Sequence, residues 1–280
     1  EAHLSFGGTQ GVYTHTSSAV SGEMELSVYV PPQADTLNTG EKLPVLFYLS
    51  GLTCTQENVT GKGGFQQTAA ELGLIIVCPD TSPRCTGYAG EDDDYDFGSG
   101  AGFYLNATES PWSETYKMYD YIVDELPALI AENFPIDTDR MGVFGHSMGG
   151  HGALTIGLRN PDLFKSISAF SPIVAPSLVP WGQKAFTGYL GKNTDAWAEY
   201  DATALMKVGH RSAAEILIDQ GTADPFLAEH LQPELFAEAC VKANQPLQVR
   251  MQAGYDHSYF FISSFMADHL QHHAKTLMSG

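Results

Sequence analysis

The sequence predicts an α/β fold, a mostly parallel central sheet flanked by helices on both faces. Short unbroken apolar runs recur along the chain, helical stretches of roughly 10–15 residues alternate with them, and one glycine-flanked serine sits at a strand-to-helix junction. Crossover helices cover both sides of a parallel sheet, so its strands are apolar throughout instead of alternating.

Met24, Leu26, Val28 and Val30 alternate with Glu23, Glu25, Ser27 and Tyr29, a period-two strand ended by Pro31 and Pro32. LPVLFYLSG (43–51) and GLIIVCPD (73–80) have the composition of strands buried on both faces, and GGFQQTAAELG (63–73) between them is a helix closed by Gly73. SETYKMYDYIVDELPALIAENF (113–134) is expected as one long helix that Pro127 kinks or divides. MGVFG (141–145) is the next strand and GGHGALTIGLRN (149–160) the next helix. SISAFSP (166–172), EILIDQG (215–221) and LQVRMQAG (247–254) are three more strands. FLAEHLQPELFAEACVKAN (226–244) is helical between the last two, and a final helix runs from about Tyr259 to Met278. Segments 82–112 and 172–210 belong to no such unit and are expected as insertions. With no repeat and no low-complexity linker, residues 1–280 are expected to form a single domain.

Composition narrows the function. With 43% hydrophobic and 11% aromatic residues in 280, the chain is not disordered. A net charge of -19 and a pI near 4.7 set the surface against nucleic-acid phosphates and anionic membranes, so neither is expected as a partner. Mean hydropathy is -0.13, and no apolar run approaches the roughly 18 residues needed to cross a bilayer. The opening EAHLSFGGTQ has neither the basic nor the apolar stretch of a secretory signal. Cys54, Cys78, Cys85 and Cys240 are too few for a disulfide scaffold and form no C-x-x-C pair. A cytoplasmic protein with reduced thiols is expected.

The chemistry centres on Gly145-His146-Ser147-Met148-Gly149. In a G-x-S-x-G turn the serine occupies a tight strand-to-helix bend, and bulky neighbours would clash there. Chance can produce so short a pattern in a glycine-rich chain. Its position after one expected strand and before an expected helix is what the motif needs, at the strand ends where ligands bind. A serine hydroxyl needs a base, itself oriented by an acid, and both lie later in the chain. Of the histidines after residue 220, only His257 lies just beyond an expected strand and before a helix. For the acid, Asp224 in the loop Gly221–Pro225 is favoured over Asp219, which lies near the end of its strand. Asp256 is expected to be an ordinary loop residue.

Two amides should form an oxyanion hole: Met148, directly after the serine, and Leu52 in the loop after strand 43–51, where Gly51 lets the chain turn. No cofactor or metal is called for. His269, His272 and His273 have the spacing of a solvated helix face, and the His269/His273 pair lacks the E-x-x-H arrangement of a metal site. Asp92, Asp94 and Asp96 alternate like calcium ligands, but Phe97 and Phe103 stand where an EF-hand needs Gly and Glu, so a solvated acidic loop is expected.

With these residues in place, the chain resembles the S-formylglutathione hydrolase (esterase D) family of the α/β-hydrolase fold along nearly its whole length. The likeness runs through SVYVPP (27–32), YLSGLTCT (48–55), DFGSGAGFY (96–104), GHSMGGHGAL (145–154), WGQKAF (181–186) and DHSYFF (256–261). It implies hydrolysis of a formyl thioester of glutathione, with Ser147, Asp224 and His257 as triad and Leu52 and Met148 as oxyanion donors. It also implies a thiol at Cys54 beside the site, Trp181 in the pocket wall, a homodimer, and side activity on short carboxylic esters. Lys184 is the candidate for holding the substrate's carboxylates, since the acidic surface as a whole would repel them. A broad carboxylesterase or an acyltransferase would use the same residues. A catalytically dead binding protein would lack a triad member, and none is missing.

Overall fold

The computed structural model describes residues 1–279, and in it nine strands join in one sheet. They are Ala2–Ser5 (β1), Gly8–Ser17 (β2), Gly22–Val30 (β3), Leu43–Leu49 (β4), Ile75–Pro79 (β5), Ile136–His146 (β6), Phe164–Phe170 (β7), Ile216–Gly221 (β8) and Leu247–Gln252 (β9). Their spatial order is β1-β2-β3-β5-β4-β6-β7-β8-β9. The first three strands form an antiparallel meander, joined to β5 by antiparallel pairing of Leu26–Tyr29. From β5 to β9 every pairing is parallel. This is the mostly parallel sheet of an α/β-hydrolase fold.

Ten α-helices accompany it: Gln56–Lys62 (α1), Gln66–Leu72 (α2), Met118–Asp120 (α3), Leu126–Asn133 (α4), Met148–Arg159 (α5), Pro180–Leu190 (α6), Thr194–Trp197 (α7), Ala202–Val208 (α8), Pro233–Ala243 (α9) and Tyr259–Leu277 (α10). Strand β4 shows why the sequence gives two layers of helix. Val45, Phe47 and Leu49 enter one core with α4, α5, α8 and α9, while Leu46 and Tyr48 enter a second core with α1, α2 and α10. Side chains alternate along a strand, so a strand apolar at every position has to be covered on both faces.

Four differences from the sequence reading have physical causes. Strands β1 and β2 were not expected; they lie at the sheet margin, where β1 is mostly exposed and needs little apolar alternation. Helix α1 is short and contains Gly61, but a reciprocal cap starts it: the Thr55 hydroxyl accepts from the Glu57 amide and Asn58 accepts from the Thr55 amide. The stretch 113–134 is helical only from Met118, where α3, a π-helical turn at Tyr121–Glu125 and α4 follow one another without a break to Asn133. Pro127 comes just after the π-helical turn, where the widened ladder takes in a residue with no amide hydrogen.

The fourth difference concerns α10. His269 and His273 are fully buried, on the stripe Met266, Leu270, Ala274 and Leu277 that faces β7. Donors and acceptors form one consistent chain. The Ser166 hydroxyl donates to His273 Nδ1, whose Nε2–H donates to Ser168; Ser168 donates to His269 Nδ1, whose Nε2–H donates to Asp219. Burial holds both imidazoles below their ordinary pKa, in the neutral form this chain requires.

Candidate active site

Strand β6 delivers Ser147 and helix α5 leaves it. The motif glycines are there because two segments approach too closely for a side chain. A Cβ on Gly145 would lie 2.4 Å from the Gly149 carbonyl oxygen, and one on Gly149 would lie 1.9 Å from that of Leu49. Ser147 itself has φ 57° and ψ -116°, a strained conformation for a residue with a Cβ. Its amide donates to the Phe170 carbonyl at 2.9 Å, and its own carbonyl accepts from His151 and Ile173.

The loop after β9 places His257, and the loop after β8 places Asp224. His257 Nδ1–H donates to Asp224 Oδ2 at 2.5 Å. Asp224 also accepts from Gln220 and from the Phe226 amide. Burial alone would raise the Asp224 carboxyl, but His257 and the Phe226 amide hold it below its ordinary value, so it stays ionised beside the imidazole. Asp219 is engaged elsewhere, buried against Arg250, Gln252 and His269. Asp256 accepts from the amide and hydroxyl of Ser258 at the start of α10.

A cavity of about 290 Å³ brings together Ser147, His257, Leu52, Cys54 and Trp181, and adds His146, Tyr95, Phe226 and Tyr259 to the wall. Leu52 lies in a loop held from outside: the Tyr104 hydroxyl donates to the Ser50 carbonyl at 2.9 Å, and the Thr53 amide donates to Gly100 at 2.9 Å. Met148 is the first residue of α5, so its amide has no acceptor within the helix. Cys54 is half-buried at the site, and burial raises its thiol pKa against the pull of Tyr259 and Lys62. His146 is buried with neither ring nitrogen bonded, its ring 4.4 Å from that of His257, and burial drives its pKa well down.

Lys184 is outside this cavity. Its ammonium donates to Asp94 at 3.0 Å and is paired with Asp96, so its charge is already met and no cation faces the pocket from that position. The acidic run is accordingly not a freely solvated loop. Glu91 is buried and accepts from the Thr86 and Gly87 amides, and Asp96 is buried beneath Lys184. Among the described residues, no group of three or more His, Cys, Asp or Glu side chains is arranged to hold a metal.

Sequence reasoning did not identify Tyr95, Phe226, His146 or Tyr259 as wall residues. His146 and Tyr259 adjoin motif residues and could have been found that way. Phe226 lies two residues past Asp224, which accepts from its amide, and could have been found the same way. Tyr95 carries no local signal and meets the cavity through its bond to Trp181 on α6.

The family described as "Putative esterase" matches residues 17–272. Proteins named S-formylglutathione hydrolase from Mus musculus and Rattus norvegicus are 53% and 52% identical, over 97% of this chain and 95% of theirs. A solved S-formylglutathione hydrolase from Agrobacterium tumefaciens is 53% identical and superposes with a TM-score of 0.95, covering 99% of this chain and 98% of that one. A ferulic acid esterase at 20% identity and TM-score 0.74 shares the fold.

Proposed function

Because the chain belongs to the esterase family, within its group of S-formylglutathione hydrolases, we propose that it hydrolyses S-formylglutathione to glutathione and formate through an acyl-enzyme on Ser147. The observation that carries the site assignment is the hydrogen bond from His257 to Asp224, with His257 in the same cavity as Ser147 and Leu52. His257 takes the Ser147 proton as the hydroxyl attacks the formyl carbon, and Asp224 steadies the imidazolium. The Leu52 and Met148 amides receive the developing oxyanion. Glutathione leaves as a thiol with the proton from His257, which returns the imidazole to its neutral form. Water activated by His257 then releases formate. A formyl group is small enough for a cavity of about 290 Å³, and short acyl esters fit the same space.

The test compares kcat/KM for S-formylglutathione with that for a short-chain nitrophenyl ester, using Ser147→Ala as control. The expected result is a thioester preference of orders of magnitude, with kcat falling by about 10³–10⁶ in the variant. Equal values for the two substrates would make this a general esterase.

We also read the chain as one α/β-hydrolase domain acting as a cytoplasmic homodimer. The four unpaired cysteines suit a reducing compartment, and the dimer rests on the family resemblance. Light scattering tests the dimer, and a solution mass near 30.3 kDa would rule it out.

A further inference from the structure

We propose that Lys184 is a positioning residue for acyl-chain selectivity: by gripping Asp94 and Asp96 it holds Tyr95 as the closing wall of the cavity that contains Ser147. The inference rests on the reading of Ser147 as the nucleophile.

Trp181 and Lys184 stand three residues apart on α6, on one helix face. Together they hold three consecutive residues of the acidic run. The Trp181 indole N–H donates to the Tyr95 hydroxyl at 2.9 Å, while Lys184 takes Asp94 and Asp96 on either side of it. The run is fixed at both ends. Glu91 is buried among amides, and Phe97 stacks on Tyr189 at 4.4 Å and meets Trp112 edge-on at 4.8 Å. Residues 92–95 between those anchors are exposed, and Tyr95 is 61% exposed. An antiparallel bridge between Asp94 and Phe97 closes the turn that carries Tyr95, and the α6 grip is what fixes the turn and its ring against the cavity.

The rest of the wall is braced. Trp181 is buried, stacked on His230 at 3.7 Å and against Phe226 at 4.8 Å. Of the lining residues only Thr53 and Tyr95 are exposed, and the Thr53 amide is tied to Gly100. Tyr95 is therefore the one large side chain whose displacement would lengthen the cavity. Release of the grip should leave the space at Ser147 unchanged and admit longer acyl chains.

The experiment measures kcat/KM for acetyl, butyryl and hexanoyl nitrophenyl esters in the full-length protein. In Lys184→Met the hexanoyl-to-acetyl ratio is expected to rise about tenfold, with acetyl hydrolysis within a few-fold of the parent. Lys184→Arg, which keeps the charge, should hold the parent ratio. Tyr95→Ala should raise it, and Tyr95→Phe, which keeps the ring and loses only the hydroxyl, should raise it less. Charge screening shortens to about 3 Å in 1 M salt, so salt should raise the ratio in the parent more than in Lys184→Met. An unchanged ratio in both Lys184→Met and Tyr95→Ala, beside an inactive Ser147→Ala, overturns the inference while the site reading stands. Hydrolysis that survives in Ser147→Ala overturns both.

Discussion

Ser147 pays for its position with a backbone conformation, φ 57° and ψ -116°, that costs on the order of 1–3 kcal/mol. Three backbone hydrogen bonds through its amide and carbonyl hold it there, so its hydroxyl stands at the cavity and not in the helix ladder. The two candidate acids, Asp219 and Asp224, divide differently. Asp224 bonds His257 at the cavity, whereas Asp219 ties β8 to Arg250 and α10. Their amide variants should therefore fail in opposite ways. Asp224→Asn should lower kcat on the order of 10⁴ with little change in melting temperature. Asp219→Asn leaves Arg250 and His269 without their carboxylate and should cost roughly 3 kcal/mol of stability, while the folded fraction keeps its activity. Steady-state kinetics beside thermal melts separate the two. A larger kcat loss in Asp219→Asn would overturn the choice of acid.

At the scale of elements, the junction of β4, β6 and α5 builds the site, and its tolerance is set by contact between backbones. Leu49 ends β4 with its carbonyl oxygen 1.9 Å from where a Gly149 Cβ would sit. That neighbour is backbone and cannot rotate away. Gly149→Ala should therefore cost about 3 kcal/mol or more and displace the Met148 amide and Leu52 relative to each other. Chemical denaturation measures the first effect. Esterase turnover per fluorophosphonate-labelled serine measures the second, and a variant with parent stability would show that the turn has more room than these contacts allow. The junction of β7 with α10 works differently: small serines on the strand leave space for histidines on the helix, and the hydrogen-bond chain from Ser166 to Asp219 fills it.

For the whole molecule, buried neutral histidines set the response to acid. Burial lowers His151 to about 4 against the pull of the Phe103 carbonyl, and pushes His146, His269 and His273 below their ordinary values. A depressed folded pKa means the unfolded chain binds the proton first. The stabilisation is complete above the unfolded value near 6.5 and is lost as pH falls through the folded values. His151 alone, shifted from 6.5 to about 4, accounts for roughly 3 kcal/mol across that window. Asp219 adds a second loss lower down. Burial would raise it, but His269 and Arg250 hold it at about 2, so its contribution fades as pH drops from near 4 towards 2. Urea titrations at pH 7, 5.5 and 4.5 should show stability falling steadily, with a shallower slope in His151→Gln; a flat profile would contradict this. How much of this the sequence disclosed depends on whether the cause was local. Ser147 between its glycines, Pro127 in a helical stretch, and strands apolar at every position were legible because backbone sterics and two-sided burial act within a few residues. The choice of Asp224 could be favoured from its loop position, but its bond to His257 spans 33 residues and exists only in the folded chain. The burial of His269 and His273, the capture of Lys184 by Asp94 and Asp96, and the place of Tyr95 at the cavity had no sequence signal strong enough to find them. The partners of a buried polar group are decided by which elements pack together, and that is settled by the sheet order and the helix faces that cover it.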